Sequence, residues 1–261
     1  MALLICGHQR SGTTILADVV GRHPDIRLTV EFANFWQLGL SYRVYVRWIL
    51  GRWWLLRRRN NLLVPVALGP LNFLRNHLLV PCYLLAYTRF WRERVSVAAI
   101  EGALRCLFPR ARVVGDKFPD YLSHLPELTA SPQAQCLVIY RDCRDVASST
   151  LRMARTTWRT RGFVQGLDTP EKVARRWVKG MQIMDQFADR IHVVRYEDLV
   201  QDPGPVLKGI GDWLGLDPQG FPSRYLQADK IGKHREGLTP EELRAVIEVA
   251  GPTMERFGYR L

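Results

Sequence analysis

A short segment near the amino terminus has the residue types needed to bind a phosphate or another anion. Gly7–Thr14 reads GHQRSGTT, and it lies between an apolar run typical of a strand and a pattern with helical spacing. At such a junction, backbone N–H groups and the positive end of a helix dipole converge on an anion. Arg10 adds a positive charge, and the following hydroxyls can donate to phosphate oxygens. The sequence therefore predicts an anion-binding loop, with an ordinary strand-to-helix turn as the alternative.

This loop lacks the lysine of a nucleotide triphosphatase. Its glycines have the spacing of a Walker A loop, G-x-x-x-x-G-K-[ST], but Thr13 occupies the lysine position. The cation of the loop is Arg10 instead. A metal-dependent phosphotransferase of the P-loop class is the first alternative function, and it would lack its β/γ-phosphate clamp. A Walker B strand ending in Asp is also missing, since the strand predicted before Arg141 ends in Tyr140.

A second strand-turn-helix segment could also hold an anion. Gln135–Tyr140 is a short β-type run, and a helix is predicted from about Asp145 to Met153. The turn between them carries Arg141 and Arg144. Taken alone, these arginines are equally well explained as capping and surface charges.

The first loop resembles the 5′-phosphosulfate loop of the sulfotransferases that use 3′-phosphoadenosine 5′-phosphosulfate (PAPS). That loop has Lys or Arg followed by Ser-Gly-Thr-Thr, and here the match starts at Arg10. The resemblance implies that Arg10 contacts the transferring sulfonate and the leaving phosphate. It also implies that the PAPS 5′-phosphate is held by Ser11, Gly12, Thr13 and Thr14.

The second segment matches the same family in the expected order. By resemblance, Arg141 at the strand end and Ser149 eight residues later hold the 3′-phosphate. Three weaker matches are Gly115–Pro119, Val194–Leu199 and Ile231–Arg235. They resemble a basic segment before the acceptor site, a strand end near the adenine that includes Tyr196, and a carboxyl-terminal phosphate loop. In the last, Lys233 or Lys230 would reach the 3′-phosphate, and His234 stands where many relatives have Trp.

Sulfonate transfer needs a base for the acceptor proton and cations for the leaving phosphate. In the small-molecule branch of the family the base is a histidine, but alignment on Pro119 puts Lys117 at that place. In the tyrosylprotein branch the loop arginine is followed by His-Pro-Asp and then a catalytic glutamate. Here His23-Pro24-Asp25 is followed by Glu31, so Glu31 is the expected base and Lys117 the transition-state cation. His8 is a second candidate base, and His23 is expected to shape a turn.

These motifs require strands that alternate with helices. Strands at Ala2–Cys6, Arg112–Val114, Gln135–Tyr140 and Ile191–Arg195 alternate with helices at Thr13–Arg22, 145–153 and Pro170–Ala188. The pattern predicts an α/β fold with a P-loop-like, mostly parallel sheet flanked by helices on both faces. Residues 35–110 show no alternation of apolar and polar residues, so we expect them to form a helical insertion. Thr239 and Glu242 predict a capping box for a last helix that ends at Gly251-Pro252.

Composition favours anionic partners and one domain spanning 1–261. Lys plus Arg exceed Asp plus Glu by 37 to 25, and the net charge of +12 attracts nucleotides, nucleic acid or an anionic membrane face. A basic, non-enzymatic nucleic-acid or membrane binder is therefore the second alternative. Its arginine clusters lack the aromatic interleaving of a single-strand platform. We expect PAPS and an acceptor as partners, with no nucleic acid and no metal.

Compartment and membrane contact are further expectations from the sequence. The five cysteines are odd in number and lack a C-x-x-C pair, so we expect reduced core residues in a cytoplasmic protein. The apolar start is too short for an export signal, and prolines and Arg75 interrupt the apolar stretch 60–87 before it reaches the length of a membrane span. Residues from Trp36 to Tyr87 are expected either to line an apolar acceptor cleft, to touch a membrane surface, or to pack as plain helices.

Overall fold

A single six-stranded sheet organises the molecule. The computed structural model describes residues 1–59, 61–92 and 94–261. The strand order is β3-β2-β4-β1-β5-β6, and every neighbouring pair is parallel except β2 with β3. The strands are β1 (Ala2–Gly7), β2 (Ile26–Val30), β3 (Leu63–Val64), β4 (Val113–Lys117), β5 (Ala134–Tyr140) and β6 (Ile191–Arg195). Because the long strands are parallel, their carboxyl ends meet at one edge.

Helices cover both faces of this sheet, as predicted. Along β1, Ala2, Leu4 and Cys6 pack into one core, whereas Leu3 and Ile5 pack into the other. Both faces of this central strand are buried, which explains its unbroken apolar sequence. The helices are α1 (Thr13–Gly21), α2 (Tyr42–Leu56), α3 (Gly69–Tyr87), α4 (Val97–Leu107), α5 (Leu125–Thr129), α6 (Cys143–Arg155), α7 (Pro170–Gln186), α8 (Tyr196–Gln201), α9 (Pro203–Leu214), α10 (His234–Gly237) and α11 (Pro240–Arg256).

The two cores divide the helices between the faces. Helices α1, α8 and α9 contribute to the core that contains Leu3 and Ile5. The other core holds residues of α2, α3 and α4, together with α6, α7 and α11. The predicted α/β class is therefore confirmed, and the carboxyl edge of the sheet is left between the two helical layers, where ligands bind in open α/β sheets.

Residues 35–110 are mainly helical but contain one strand that the sequence did not predict. Leu63–Val64 pairs with Leu28 and Thr29 of β2 in antiparallel register. Two residues are too few to show alternation, so the prediction of an insertion without strands was wrong here. The strand β2 itself was also not predicted. Among the described residues, no helix is long and apolar enough to cross a bilayer.

Two further predictions need correction. The capping box of Thr239 and Glu242 is present, but α11 continues through Gly251 and Pro252 to Arg256. Buried Val246, Ala250 and Met254 anchor both halves of this helix, so packing outweighs the missing N–H of proline. All five cysteines are free thiols, and three of them are buried, but Cys82 and Cys106 are exposed and do not belong to the core.

Candidate functional site

A large cleft opens at the carboxyl edge of the sheet and brings most of the predicted site residues together. Its volume is about 1720 Å³. The predicted residues that line it are Arg10, Gly12, Thr13, Thr14, Glu31, Arg141, Ser149, Tyr196 and Lys233. Ser11, which was also predicted to bind the cofactor, is fully buried and does not line the cleft. Lys117 lines a small neighbouring cavity together with Thr14.

The first loop has the backbone geometry of an anion cradle. The N–H of Ser11 donates to the carbonyl of His8 over 3.0 Å, which closes a tight turn. Arg10 and Gly12 have φ angles of 71° and 100°, in the left-handed region. A Cβ on Gly12 would lie 2.5 Å from Cδ2 of Tyr196, so only glycine fits there. Helix α1 begins at the next residue, and its amino-terminal N–H groups and dipole face the same space.

Cations from both predicted anion segments meet in the cleft. Nε of Arg10 donates to Oγ of Ser149 over 2.9 Å, so the two segments are in direct contact. Burial lowers the pKa of Arg10, and repulsion from Arg152 and Arg141 lowers it further. An arginine remains charged even so. The three guanidinium groups therefore form a positive cluster that a bound polyanion would neutralise.

Arg141 is held rigidly at the end of β5. It is buried, it donates to Oδ2 of Asp145 over 2.9 Å and to the carbonyl of Lys230, and it stacks 4.3 Å above the ring of Tyr196. Asp145 also accepts hydrogen bonds from the N–H of Gly232 and from His234. Burial opposes ionisation of Asp145, but these bonds prevail and lower its pKa to about 2. The carboxylate thus ties the loop around 230–234 to α6.

Glu31, directly after β2, forms an ion pair with Lys117 at the end of β4. Nζ of Lys117 lies 2.9 Å from Oε1 of Glu31 and 3.4 Å from Oγ1 of Thr14. Only 1% of the Lys117 side chain is exposed, compared with 25% for Glu31. Arg59 binds the other carboxylate oxygen of Glu31. Burial opposes ionisation of Glu31, yet the two cations hold its pKa below the usual range.

A buried polar network behind Glu31 was missed by the sequence analysis. Asp116 accepts from the hydroxyls of Tyr121 and Thr29, at 2.7 Å each, and from the N–H of Asn34. The hydroxyl of Tyr121 also accepts from the N–H of Phe35. Burial raises the pKa of Asp116, against the effect of these donors. The network fixes the chain after Glu31, which has a strained φ of 61°. Asp116 belongs to the Gly115–Pro119 segment, but nothing in that segment indicates this role.

The other residues that the sequence singled out are two lysines in the cleft lining and three histidines outside it. Lys230 and Lys233 line the cleft, and His234 is bound to Asp145 beside them. His8 is buried, its Nδ1 lies 2.7 Å from the Gln9 carbonyl, and burial lowers its pKa to about 4. His23 shapes a turn, because its Nδ1 accepts from the N–H of Asp25 while its Nε2 lies 3.0 Å from the Asp217 carbonyl.

The cleft lacks two features of a metal-dependent phosphotransferase, the Walker lysine and an Asp at the end of β5. Thr13 opens α1 where the Walker lysine would stand, and β5 ends in Tyr140. Within 1–59, 61–92 and 94–261, no group of three or more His, Cys, Asp or Glu side chains is arranged to hold a metal ion.

Comparisons with known proteins identify sulfotransferases that are similar to this chain in sequence or in fold. Omega-hydroxy-beta-dihydromenaquinone-9 sulfotransferase Stf3 of Mycobacterium bovis is 32% identical over 146 residues, which are 51% of this chain and 37% of the relative's own length. The sulfotransferase domain of the Synechococcus PCC 7002 olefin synthase has the same fold, with a TM-score of 0.60 at 21% identity over 100% of this chain and 95% of that one.

Mouse sulfotransferase SULT7A1, solved in complex with PAP (3′-phosphoadenosine 5′-phosphate), also shares the fold, with a TM-score of 0.50 and 14% identity over 97% of this chain and 84% of that one. A sequence model of the sulfotransferase family matches residues 2–220, which include the first loop, Glu31, Lys117, Arg141 and Tyr196. This chain therefore belongs to the sulfotransferase family.

Proposed function

We propose that this protein transfers the sulfonate group of PAPS to a hydroxyl or amine of an acceptor. One observation carries the proposal: the two predicted anion segments and Glu31, which Lys117 binds from a neighbouring cavity, open into the same cleft. The acceptor oxygen or nitrogen attacks sulfur, the bond between sulfur and the bridging phosphate oxygen breaks, and PAP leaves. Residues 1–261 act in this proposal as one domain, with the helical insertion at about 35–110 forming one wall of the cleft.

The first loop would hold the reacting end of PAPS. The backbone N–H groups at Gly12, Thr13 and Thr14 and the dipole of α1 suit the 5′-phosphate. Arg10 supplies a cation for the leaving phosphate oxygen. Lys117 lies 3.4 Å from the Thr14 hydroxyl and would stabilise the sulfonate oxygens as charge shifts in the transition state.

The second segment would select the 3′-phosphate, which ATP lacks. Arg141 and Ser149 bind this phosphate in the proposal, and Lys233 or Lys230, from the loop beside Arg141, adds a further cation. Tyr196 contacts the adenine end of the nucleotide. Because Asp145 and the backbone hold Arg141 in place, little side-chain entropy is lost when the phosphate binds.

Glu31 would remove the acceptor proton. Its pKa is low, so it is an ionised carboxylate at neutral pH. In the free protein Lys117 and Arg59 bind it on both oxygens. A sulfonate beside Lys117 competes for that ammonium group, which weakens the ion pair and raises the basicity of Glu31 when the cofactor is present.

A hydroxyl is the acceptor group that we favour. The name of the mycobacterial relatives gives an omega-hydroxy compound as the molecule they sulfonate. Leu55 and Leu56 of α2 line the cleft together with Arg52 of the same helix and Arg59 just after it, so this wall has both apolar and cationic side chains. Such a wall suits a lipophilic acceptor with a polar end.

Nucleotide selectivity tests the proposal without knowledge of the acceptor. Titration calorimetry should show tight binding of PAP, and ATP should bind much more weakly because it lacks the 3′-phosphate. The measurement is made in EDTA, since Arg10 and Lys117 replace the metal of a phosphotransferase. Equal affinity for ATP and PAP would reject the cofactor, and a requirement for Mg²⁺ would favour the phosphotransferase.

A further inference from the structure

Helix α3 has apolar side chains on two faces. One face is buried in the core, and the other is exposed to solvent. Leu79, Tyr83 and Tyr87 are buried against the rest of the insertion. On the opposite side Leu71 and Leu85 are 67% and 72% exposed, in line with other exposed apolar residues at helical spacing. We define the apolar face as six side chains, each more than half exposed: Leu71, Leu74, Leu78 and Leu85 in one line along the helix, with Leu68 before its first turn and Phe73 at its edge. Contiguous exposed patches of this kind mark interaction sites.

The adjacent helix α2 extends this surface. The rings of Trp53 and His77 are 6.1 Å apart, and His77 stacks on Phe73 at 3.9 Å. The carboxyl-terminal half of α2 therefore packs beside the apolar face. That half also presents Trp54 and Leu55 to solvent. An indole at the edge of an apolar surface is typical of a membrane interface.

Charge identifies the partner of this surface. Residues 32–92 contain nine arginines and no Asp, Glu or Lys, whereas the whole chain has a net charge of +12. Arg43, Arg47 and Arg58 of this stretch are exposed. A second copy of the chain would bring two such basic surfaces together, which like-charge repulsion disfavours. A bilayer with anionic lipids provides both the apolar interior and the negative charge that this surface fits.

The surface is continuous with the catalytic cleft. Arg52, Leu55 and Leu56 of α2 line the cleft, and Leu55 is also part of the exposed end of the helix. Arg59, just after α2, binds the proposed base Glu31. One helix thus joins the apolar surface to the acceptor side of the site.

We infer that the apolar face docks on a bilayer containing anionic lipids, with α3 lying in the plane of the interface. A helix of 19 residues spans roughly 28 Å along that plane. Docking places the cleft at the lipid surface, so the acceptor is a lipophilic molecule with its hydroxyl at headgroup level. The docking stands on the surface alone, whereas the statement about the acceptor rests on the proposed function.

Vesicle co-sedimentation of the full chain tests the docking. The protein should sediment with vesicles of phosphatidylcholine mixed with phosphatidylglycerol, and much less with phosphatidylcholine alone or at high salt. The triple variant Arg43→Gln, Arg47→Gln, Arg58→Gln should lower partitioning on the order of a hundredfold, since each arginine near the surface contributes about fivefold. The matched triple variant Arg110→Gln, Arg190→Gln, Arg260→Gln also removes three exposed arginines and should partition only slightly less than the wild type.

The apolar contribution is tested separately. The double variant Leu71→Gln, Leu78→Gln should abolish sedimentation with vesicles and leave PAP affinity unchanged. The control variant Leu261→Gln changes an exposed leucine outside the apolar face, so it should keep both vesicle sedimentation and PAP affinity. The inference is wrong if the wild-type protein does not sediment with vesicles that contain phosphatidylglycerol. It is also wrong if sedimentation velocity shows a dimer that the leucine variants dissociate, because a second copy would then cover the face. Failure of PAP binding would count against the proposed function and leave the docking result standing.

With sulfonate-labelled PAPS and a membrane fraction, the label should enter organic-extractable material; purely water-soluble product would refute a lipophilic acceptor.

Discussion

Replacement of Glu31 by glutamine removes the proposed base and little else. Glutamine keeps the size of the side chain and an amide oxygen that can accept from Lys117, but it cannot take a proton. A general base contributes roughly 10²–10⁴-fold, so kcat should fall by that factor, which corresponds to about 3–5 kcal/mol in the transition state. Stopped assays of PAP release with a membrane extract as the acceptor source would measure it.

The same substitution should cost only modest stability. The buried ammonium of Lys117 keeps a hydrogen bond to the amide oxygen but loses the carboxylate charge that lies 2.9 Å away, which costs about 1–1.5 kcal/mol. Because Glu31 is partly exposed, water compensates some of this loss. The melting temperature should therefore fall by about 2–5 °C, and PAP affinity should stay nearly unchanged.

Arg59→Gln is the matched control for Glu31→Gln, because it removes a cation bound to Glu31 and keeps the carboxylate. We expect it to change the pH dependence of the activity. Lys117 and Arg59 hold the pKa of Glu31 below its ordinary value of 4.5. A base acts when it is deprotonated, so the acid limb of kcat/KM should lie below that value in the wild type. Loss of Arg59 raises the pKa of Glu31 and shifts the limb to higher pH, with activity at neutral pH retained. Glu31→Gln with normal turnover and weakened PAP binding would refute the assignment and make Glu31 a structural residue.

Three other perturbations give distinct results. Arg141→Ala should weaken PAP about tenfold or more, from the loss of a charge-assisted contact of about 1.5–3 kcal/mol, and leave ATP affinity unchanged in calorimetry. Gly12→Ala forces a Cβ to within 2.5 Å of Tyr196 at a φ of 100°, so PAP binding should be lost along with about 1–3 kcal/mol of stability in denaturant unfolding. Tyr121→Phe should reduce kcat with PAP affinity retained, because the hydroxyl that joins Asp116 to the chain after Glu31 is removed; an unchanged kcat would exclude this positioning role.

Much of the architecture could be predicted from the sequence because local patterns determine it. The central strand β1 is apolar on both faces, and Gly12 and the hydroxyls that follow it stand at the start of α1. These features are local in sequence and follow from strand and helix chemistry. Each anion segment directly follows a strand, and because β1 and β5 are parallel, both segments lie at the same edge of the sheet.

Tertiary contacts decided what the sequence could not show. The strand β3 has only two residues and exists through its pairing with β2. Helix α11 passes Pro252 because packed residues on both sides hold it. The Asp116 network joins residues more than eighty positions apart in the chain, and the pairing of Glu31 with Arg59 brings in a residue of the insertion that had no assigned role.

Transfer of labelled sulfonate tests the central claim most directly. The protein is incubated in EDTA with PAPS labelled in the sulfonate group and with a cell extract as the acceptor source. We expect label to enter a new product as an equal amount of PAP appears, and we expect Arg10→Ala, which removes the loop cation, nearly to abolish the transfer. Absence of label transfer, or transfer of the γ-phosphate of ATP that depends on Mg²⁺, would contradict the central claim.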